Sequence, residues 1–466
     1  MIASVVRFFY PELKQEEVRK FGLLALAFFF TIGAYWMLRL LKDAIFFKVA
    51  FPASLGWLPD QGALFQPLAK TYSFVTVLVL VALYTKLVDL FEKQKLFYII
   101  CSFYAALFAG ITAILIWRDV AGVEAVGRTL LAATGWVSYL AIESFGSIVV
   151  ALFWSFTSSV TDTEAAKRGY PFIIAGAQVG SIAGSALNIF AEHLGGVSRL
   201  FFVATVLVLM IMVVVWYFMK TIPAEQLVGN RQAAQTEKKK EGFVEGFLAG
   251  IKLLFTRGYL FGILIVATFY EVINTIVDYQ MKRQASVFPQ YATENGFAKF
   301  LGIFGVATNS LALFMALLGT SYIMRKYGLT FCLLSYPIVL GLALGSLYLL
   351  YAYGNPSAAV MLWSTFGVMM LAKGLSYAVN NPTKEMMYIP TSKDAKFKTK
   401  GWIDMFGSRT AKMGGAQFVE PFKKNLPDLM TYGTLLSLGL IGVWFAAALY
   451  VGRKNAELTR KGEIVG

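Results

Sequence analysis

The chain has 466 residues, of which 58% are hydrophobic and only 15% charged, and its mean hydropathy is +0.63. A soluble domain carries about a quarter charged residues, so too few polar groups are present to cover a water-facing surface, and the composition excludes a soluble enzyme. The formal net charge is +15, with two cysteines and one histidine. That balance fits anionic lipid or an anionic solute, and it leaves no disulfide framework and no cysteine- or histidine-rich metal site.

Residues 1–20 mix charged and apolar side chains (MIASVVRFFYPELKQEEVRK). They read as a cytoplasmic amphipathic segment at the membrane interface, not as a cleaved signal. A helix needs about 20 apolar residues to cross the hydrocarbon, and twelve stretches qualify. The first six lie near 21–47, 68–90, 96–117, 131–160, 170–193 and 198–219. A polar run from 220 to 257 follows as a central linker. The second six lie near 258–283, 297–324, 328–350, 357–379, 402–422 and 431–452, with a tail at 453–466. In the fifth stretch Gly176, Gly180 and Gly184 recur every four residues, the spacing of close helix packing or of a smooth moving surface.

Lysine and arginine placement orients the spans. Arg19/Lys20, Lys93/Lys95, Lys167/Arg168, Lys238 to Lys240, Arg325/Lys326, Lys393 to Lys400 and Arg453/Lys454 all fall on one set of connections. The alternate connections hold few cations, so both termini are expected in the cytoplasm. The fold expected is an all-α polytopic membrane protein of twelve transmembrane helices in two six-helix bundles, 21–219 and 258–452, of major-facilitator type. The short echo of EAAKRG (164–169) in KFKTKG (396–401) is in keeping with duplication. No GxxxxGK[ST], HExxH or GxSxG string occurs, so neither a P-loop ATPase nor a familiar hydrolase is indicated.

Ionisable groups inside spans are costly and default to functional hypotheses. Arg39, Lys42 and Asp43 sit on helix one, and Glu143 is the only acid between Leu130 and Thr161 on helix four. Helix seven holds Glu271, Asp278, Lys282 and Arg283, with Asp278 and Lys282 spaced to satisfy each other. Lys373 and Lys384 lie on and just after helix ten, and Asp404, Arg409 and Lys412 on helix eleven. Cations outnumber acids, and both lysine and arginine suit phosphate oxygens. Arg39, Lys42, Glu143, Lys373, Lys384, Arg409 and Lys412 are therefore the expected substrate-binding residues. Glu143, Glu271 and Asp278 are the acids able to couple a proton. Tyr35, Trp36, Phe145, Tyr377 and Trp402 are flat enough to stack on a base.

Three segments, YWMLRLLKDAIFF (35–47), IESFGSIVVALFWSFTSSVTDTEAAKRGYPFIIAGAQVG (142–180) and NNPTKEMMYIPTSKDAKFKTKGWIDMFGSRTAKMGG (380–415), resemble the ATP/ADP translocase family of plastids and intracellular bacteria. The resemblance implies twelve helices and exchange of ATP for ADP, with relatives that move other nucleotides or NAD, some with protons. It implies functional roles for Lys42 in RLLKDA, Glu143 in ESFGSIV, Lys384 in PTKEM and Lys412 in GSRTAKMGG. Asn381 stands where the family usually has aspartate, and the family's helix-seven acid can be matched to either Glu271 or Asp278. The expected protein is a nucleotide transporter, without cofactor, metal or nucleic acid, acting as a monomer in a bacterial inner membrane. The alternatives are a proton-coupled importer of another nucleotide, NAD or anionic metabolite, and a non-transporting membrane receptor or scaffold.

Overall fold

A computed structural model describes residues 13–227, 243–318 and 320–465. Most of the amphipathic start, the central part of the linker and the Lys238 to Lys240 cluster lie outside these. Among the described residues the chain forms helices and no strand, apart from one isolated bridge between Thr391 and Val465. Such a chain is suited to lipid, because a helix satisfies its own backbone hydrogen bonds.

The long helices, in order, are α1 (Glu17–Ala44), α2 (Gln61–Leu90), α3 (Lys93–Ala121), α4 (Arg128–Ser159), α5 (Thr163–Ile189) and α6 (Val197–Thr221). The second series is α7 (Gly258–Val287), α8 (Glu294–Leu318), α9 (Thr320–Tyr353), α10 (Ala358–Leu375) and α12 (Leu426–Lys461), with α11 before the last. Among the described residues, eleven helices are long and apolar enough to cross a membrane. The expected eleventh span, 402–422, is not among them. It is a helical run, α11, built from Lys393–Trp402, Ile403–Gly407 and Ser408–Val419. Its lysines, arginine and acid lower its hydropathy.

Several ends differ from the expected ones because local capping sets them. α5 begins at Thr163, seven residues earlier than the apolar pattern suggests, because the Asp162 carboxylate accepts hydrogen bonds from the backbone N–H groups of Glu164 and Ala165. α12 runs nine residues past its apolar core, to Lys461, where Gly462 turns left-handed.

The Cα positions group the chain into two units: Met1–Lys239 with Gln290–Val306, and Lys240–Pro289 with Ala307–Gly466. The start of α8 thus goes with the first unit. Arg118 at the end of α3 bridges Glu294 at 2.7 Å, the Val197 N–H donates to Asn295, and Phe47 stacks on Phe297.

Within the first unit α1 packs on α4, α5 and α6, and α3 packs on α4 and α6. Within the second, α7 packs on α10, α11 and α12, and α9 packs on α10 and α12. The second scheme is the first advanced by six helices, which is the imprint of a duplicated bundle. The glycine ladder of α5 works as a packing surface. A β-carbon on Gly180 would lie 2.3 Å from the Phe29 carbonyl oxygen, and one on Gly184 would lie 2.1 Å from that of Gly33. Only hydrogen side chains let α5 meet the α1 backbone this closely.

Candidate functional site

Two clusters of buried charge stand out, one in each unit. In the first, α1 brings Lys42 into a setting where its side chain is only 5% exposed. An unpaired ammonium there would cost several kcal/mol. Its Nζ lies 2.5 Å from Glu143 Oε1 on α4 and 3.8 Å from Asp43 Oδ1. It also sits 4.2 Å from the centre of the Tyr139 ring, one turn before Glu143. The α1–α4 approach depends on Gly146, where a β-carbon would fall 2.1 Å from the Tyr35 ring. Glu143 keeps 33% of its side chain exposed, so the pair has a buried cation and an open carboxylate. Arg39, one turn before Lys42, lies partly exposed with its guanidinium 5.0 Å from the centre of the Trp36 ring.

The second cluster reverses this arrangement. Glu271 on α7 is the buried member, with 8% of its side chain exposed, and Lys412 on α11 lies 3.6 Å away with 49% exposed. Gly415, three residues past Lys412, sets their approach: a β-carbon there would lie 2.9 Å from both the Val272 carbonyl oxygen and Thr275. The neighbouring Gly414 has open space at that position. Lys373 and Lys384 also lie within electrostatic reach of Glu271, and Asp404 reaches Lys384. Glu385 also reaches Lys384, and Lys400 pairs with Glu385 and reaches Asp404, so four lysines face three acids, Glu271, Glu385 and Asp404, and the cluster keeps a positive surplus. Tyr270 donates its hydroxyl hydrogen to Glu271 Oε1 at 2.6 Å. Lys384 Nζ sits 4.7 Å from the centre of the same ring.

Three π turns, Ile45–Val49, Ser376–Asn380 and Ile403–Gly407, are formed among the described residues. The first follows Lys42 and Asp43 directly. The second stands between Lys373 and Lys384, and the third contains Asp404 and precedes Arg409 and Lys412. An inserted residue re-aims the side chains on either side of it, and such turns are common at functional sites.

The structure thus brings Lys42 and Glu143 together, and separately Glu271, Lys373, Lys384 and Lys412. Arg409 is partly buried on α11, three residues before Lys412. Asp278 is 2.7 Å from Lys282 on its own helix, so these two do satisfy each other. Of the aromatic candidates, Phe145 is fully buried between Tyr104 and Phe108, which closes it to any base. Tyr139, Tyr270 and the Arg118–Glu294 bridge were not singled out by the sequence. With aromatics at 15% of the chain, no local signal separates these tyrosines from packing residues. Arg118 reads as one more cation of a loop.

Residues 2–451 match the TLC ATP/ADP transporter family. The chain is 25% identical over 475 residues to ADP,ATP carrier protein 2, chloroplastic, of Arabidopsis thaliana, covering 92% of this chain and 74% of that protein. It is 25% identical to ADP,ATP carrier protein 1 of Chlamydia pneumoniae, covering 95% of this chain and 92% of the other. The crystal structure of the nucleoside transporter NupG superposes with a TM-score of 0.61 at 14% identity, covering 92% of this chain and 98% of that one. This last likeness establishes a major-facilitator-like transporter fold.

Proposed function

The chain belongs to the TLC ATP/ADP transporter family, and from that premise we propose that it exchanges ATP for ADP across a membrane by alternating access. Membership makes it a multi-pass membrane transporter and not an enzyme, a receptor or a scaffold. The observation that carries the choice of substrate is the lysine surplus around Glu271. Lys373, Lys384 and Lys412 share one electrostatic neighbourhood, and Lys412 is half open to water. A di- or triphosphate is a guest whose several charges match several ammonium groups. In the first unit Lys42 is already bound by two acids, so Lys42 and Glu143 act as a paired element that orders α1 against α4, with Arg39 as the cation beside it.

The reading places α11 across the membrane as a twelfth helix. It divides the chain into bundles 21–219 and 258–452 joined by the linker 220–257. Support for the helical division comes from the repeated packing scheme of α1–α6 and α7–α12. The cation-rich connections favour cytoplasmic termini, and we take the protein to act as a monomer in a bacterial inner membrane. ATP and ADP differ by about one charge, so uncompensated exchange moves charge. A membrane potential then biases it by ~2.3 kcal/mol per charge per 100 mV.

The test is reconstitution of the pure protein into vesicles. Labelled ATP is expected to enter vesicles preloaded with ADP and to stay out of empty ones, and a valinomycin-imposed potassium potential should shift the initial rate. Accumulation into empty vesicles that a protonophore abolishes would replace exchange with proton symport through Glu143, Glu271 or Asp278.

A further inference from the structure

Glu271 has one carboxylate oxygen, Oε1, with two suitors. The Tyr270 hydroxyl lies at 2.6 Å, while the Lys412 ammonium lies at 3.6 Å, beyond hydrogen-bond distance. The other oxygen, Oε2, is buried without a hydrogen-bond partner. A buried carboxylate so provided exerts a strong pull on any cation within reach. A hydroxyl hydrogen bond to Oε1 takes up part of the carboxylate's charge and so weakens the pull that Lys412 feels.

The position of the hydroxyl is fixed by packing. The Tyr270 ring centre lies 6.3 Å from that of Tyr336 and 6.5 Å from that of Trp444, and Tyr336 meets Trp444 edge-on at 4.9 Å. Tyr336 in turn donates to the carbonyl oxygen of Ala372 at 2.6 Å, immediately before Lys373. Lys384 stands over the Tyr270 ring. One aromatic frame thus touches the supports of Glu271, Lys373 and Lys384.

We propose that Tyr270 is a positioning residue for substrate: by donating its hydroxyl to Glu271 Oε1 it holds Lys412 off the carboxylate and free to meet a phosphate. This rests on the reading that the lysines of the second unit bind phosphate. Without the hydroxyl, Lys412 closes on Glu271 and the two neutralise each other. Substrate then has to break that pair before it gains the lysine, and affinity falls while the later steps are unchanged.

The test uses the full chain in vesicles and measures ADP-for-ATP exchange over a range of substrate concentrations. Tyr270→Phe keeps the ring and the Lys384 contact and removes the donor to Glu271 together with a hydrogen bond to Ser376, for which Ser376→Ala, expected to leave KM unchanged, is the control. It is expected to raise KM about tenfold with little change in the maximal rate, the scale of a hydrogen bond to a charged group. In a Lys412→Ala background, and separately in a Glu271→Gln background, the same change should move KM by less than about twofold, because the pair it would create no longer exists. A tyrosine that only fills space would multiply with both changes, and that outcome overturns the proposal, as does a wild-type KM for Tyr270→Phe. A wild-type KM for Lys412→Ala alone would instead sink the phosphate reading itself. A KM raised by Lys412→Ala together with full additivity of Tyr270→Phe would leave that reading standing and remove Tyr270 from it.

Discussion

The two units use one helix-packing scheme and opposite charge arrangements. In the first, α1 buries a cation, Lys42, and α4 leaves its partner Glu143 one-third exposed. In the second, α7 buries an anion, Glu271, and α11 leaves Lys412 half exposed. In its cluster α7, the counterpart of α1, buries an acid, and it also buries Lys282, which is matched by Asp278 on the same helix. The first cluster is nearly balanced, with Lys42 held by Glu143 and Asp43. The second holds four lysines, Lys373, Lys384, Lys400 and Lys412, against three acids, Glu271, Glu385 and Asp404. Duplication has preserved backbone packing, which depends on small residues at a few contacts, and has left charge free to diverge. A duplicated scaffold can therefore hold unlike charge clusters in its two units.

The largest effect that sharpens this comparison is expected at Lys42. Removing it leaves Glu143 and Asp43 without their common cation, and breaking a buried pair by removing one partner costs about 3–5 kcal/mol. Lys42→Ala should lower both thermal stability in detergent and transport. Lys42→Met combined with Glu143→Gln, which leaves no pair to break, should recover stability beyond either single change. If Lys42→Ala folds and melts like wild type, the first cluster is not the buried structural pair described here.

The next effect concerns helix approach. Gly415→Leu sets a side chain against the α7 backbone, and overpacking of this kind costs about 1–3 kcal/mol. It should push Lys412 away from Glu271 and reduce exchange. Gly414→Leu, beside it but facing open space, should be tolerated. Equal loss in both variants would mean that the α7–α11 contact does not set the site.

The smallest effect is at Lys412 itself. Lys373 and Lys384 stay within reach of Glu271 when Lys412 is removed, so Lys412→Ala should lower thermal stability less than Lys42→Ala does, and it should raise KM by about tenfold, the worth of one charge-assisted hydrogen bond. A stability loss as large as that of Lys42→Ala would erase the contrast between the two units.

Much of the fold was legible in the sequence. Eleven of the twelve expected spans coincide with long apolar helices, because lipid demands continuous runs of apolar residues and periodicity makes such runs visible. The eleventh expected span was harder to read, since the charges proposed to meet substrate also lower its hydropathy. Its helix starts at Lys393, capped by the Ser392 hydroxyl, which accepts from the Ala395 N–H, and continues through a π turn that no residue pattern announces. The site was legible as a set of costly charges. Apart from the Asp278–Lys282 pair their partners were not, and Phe145, named among the rings able to stack on a base, lies sealed in the bundle.

What the sequence by itself determined was the solvent of the protein, the helical class, the order of its spans and the identities of the charges that lipid would reject. Those follow from transfer free energies that act residue by residue along the chain. Tertiary structure alone decided that Lys42 meets Glu143, 101 positions away. It also decided that Glu271 lies under a lysine surplus and that the Tyr270 hydroxyl donates to the carboxylate oxygen that Lys412 approaches. Which charge is buried and which stays open depends on how closely two helices approach, and that distance is set by glycines and π turns whose effect exists only once the helices are packed.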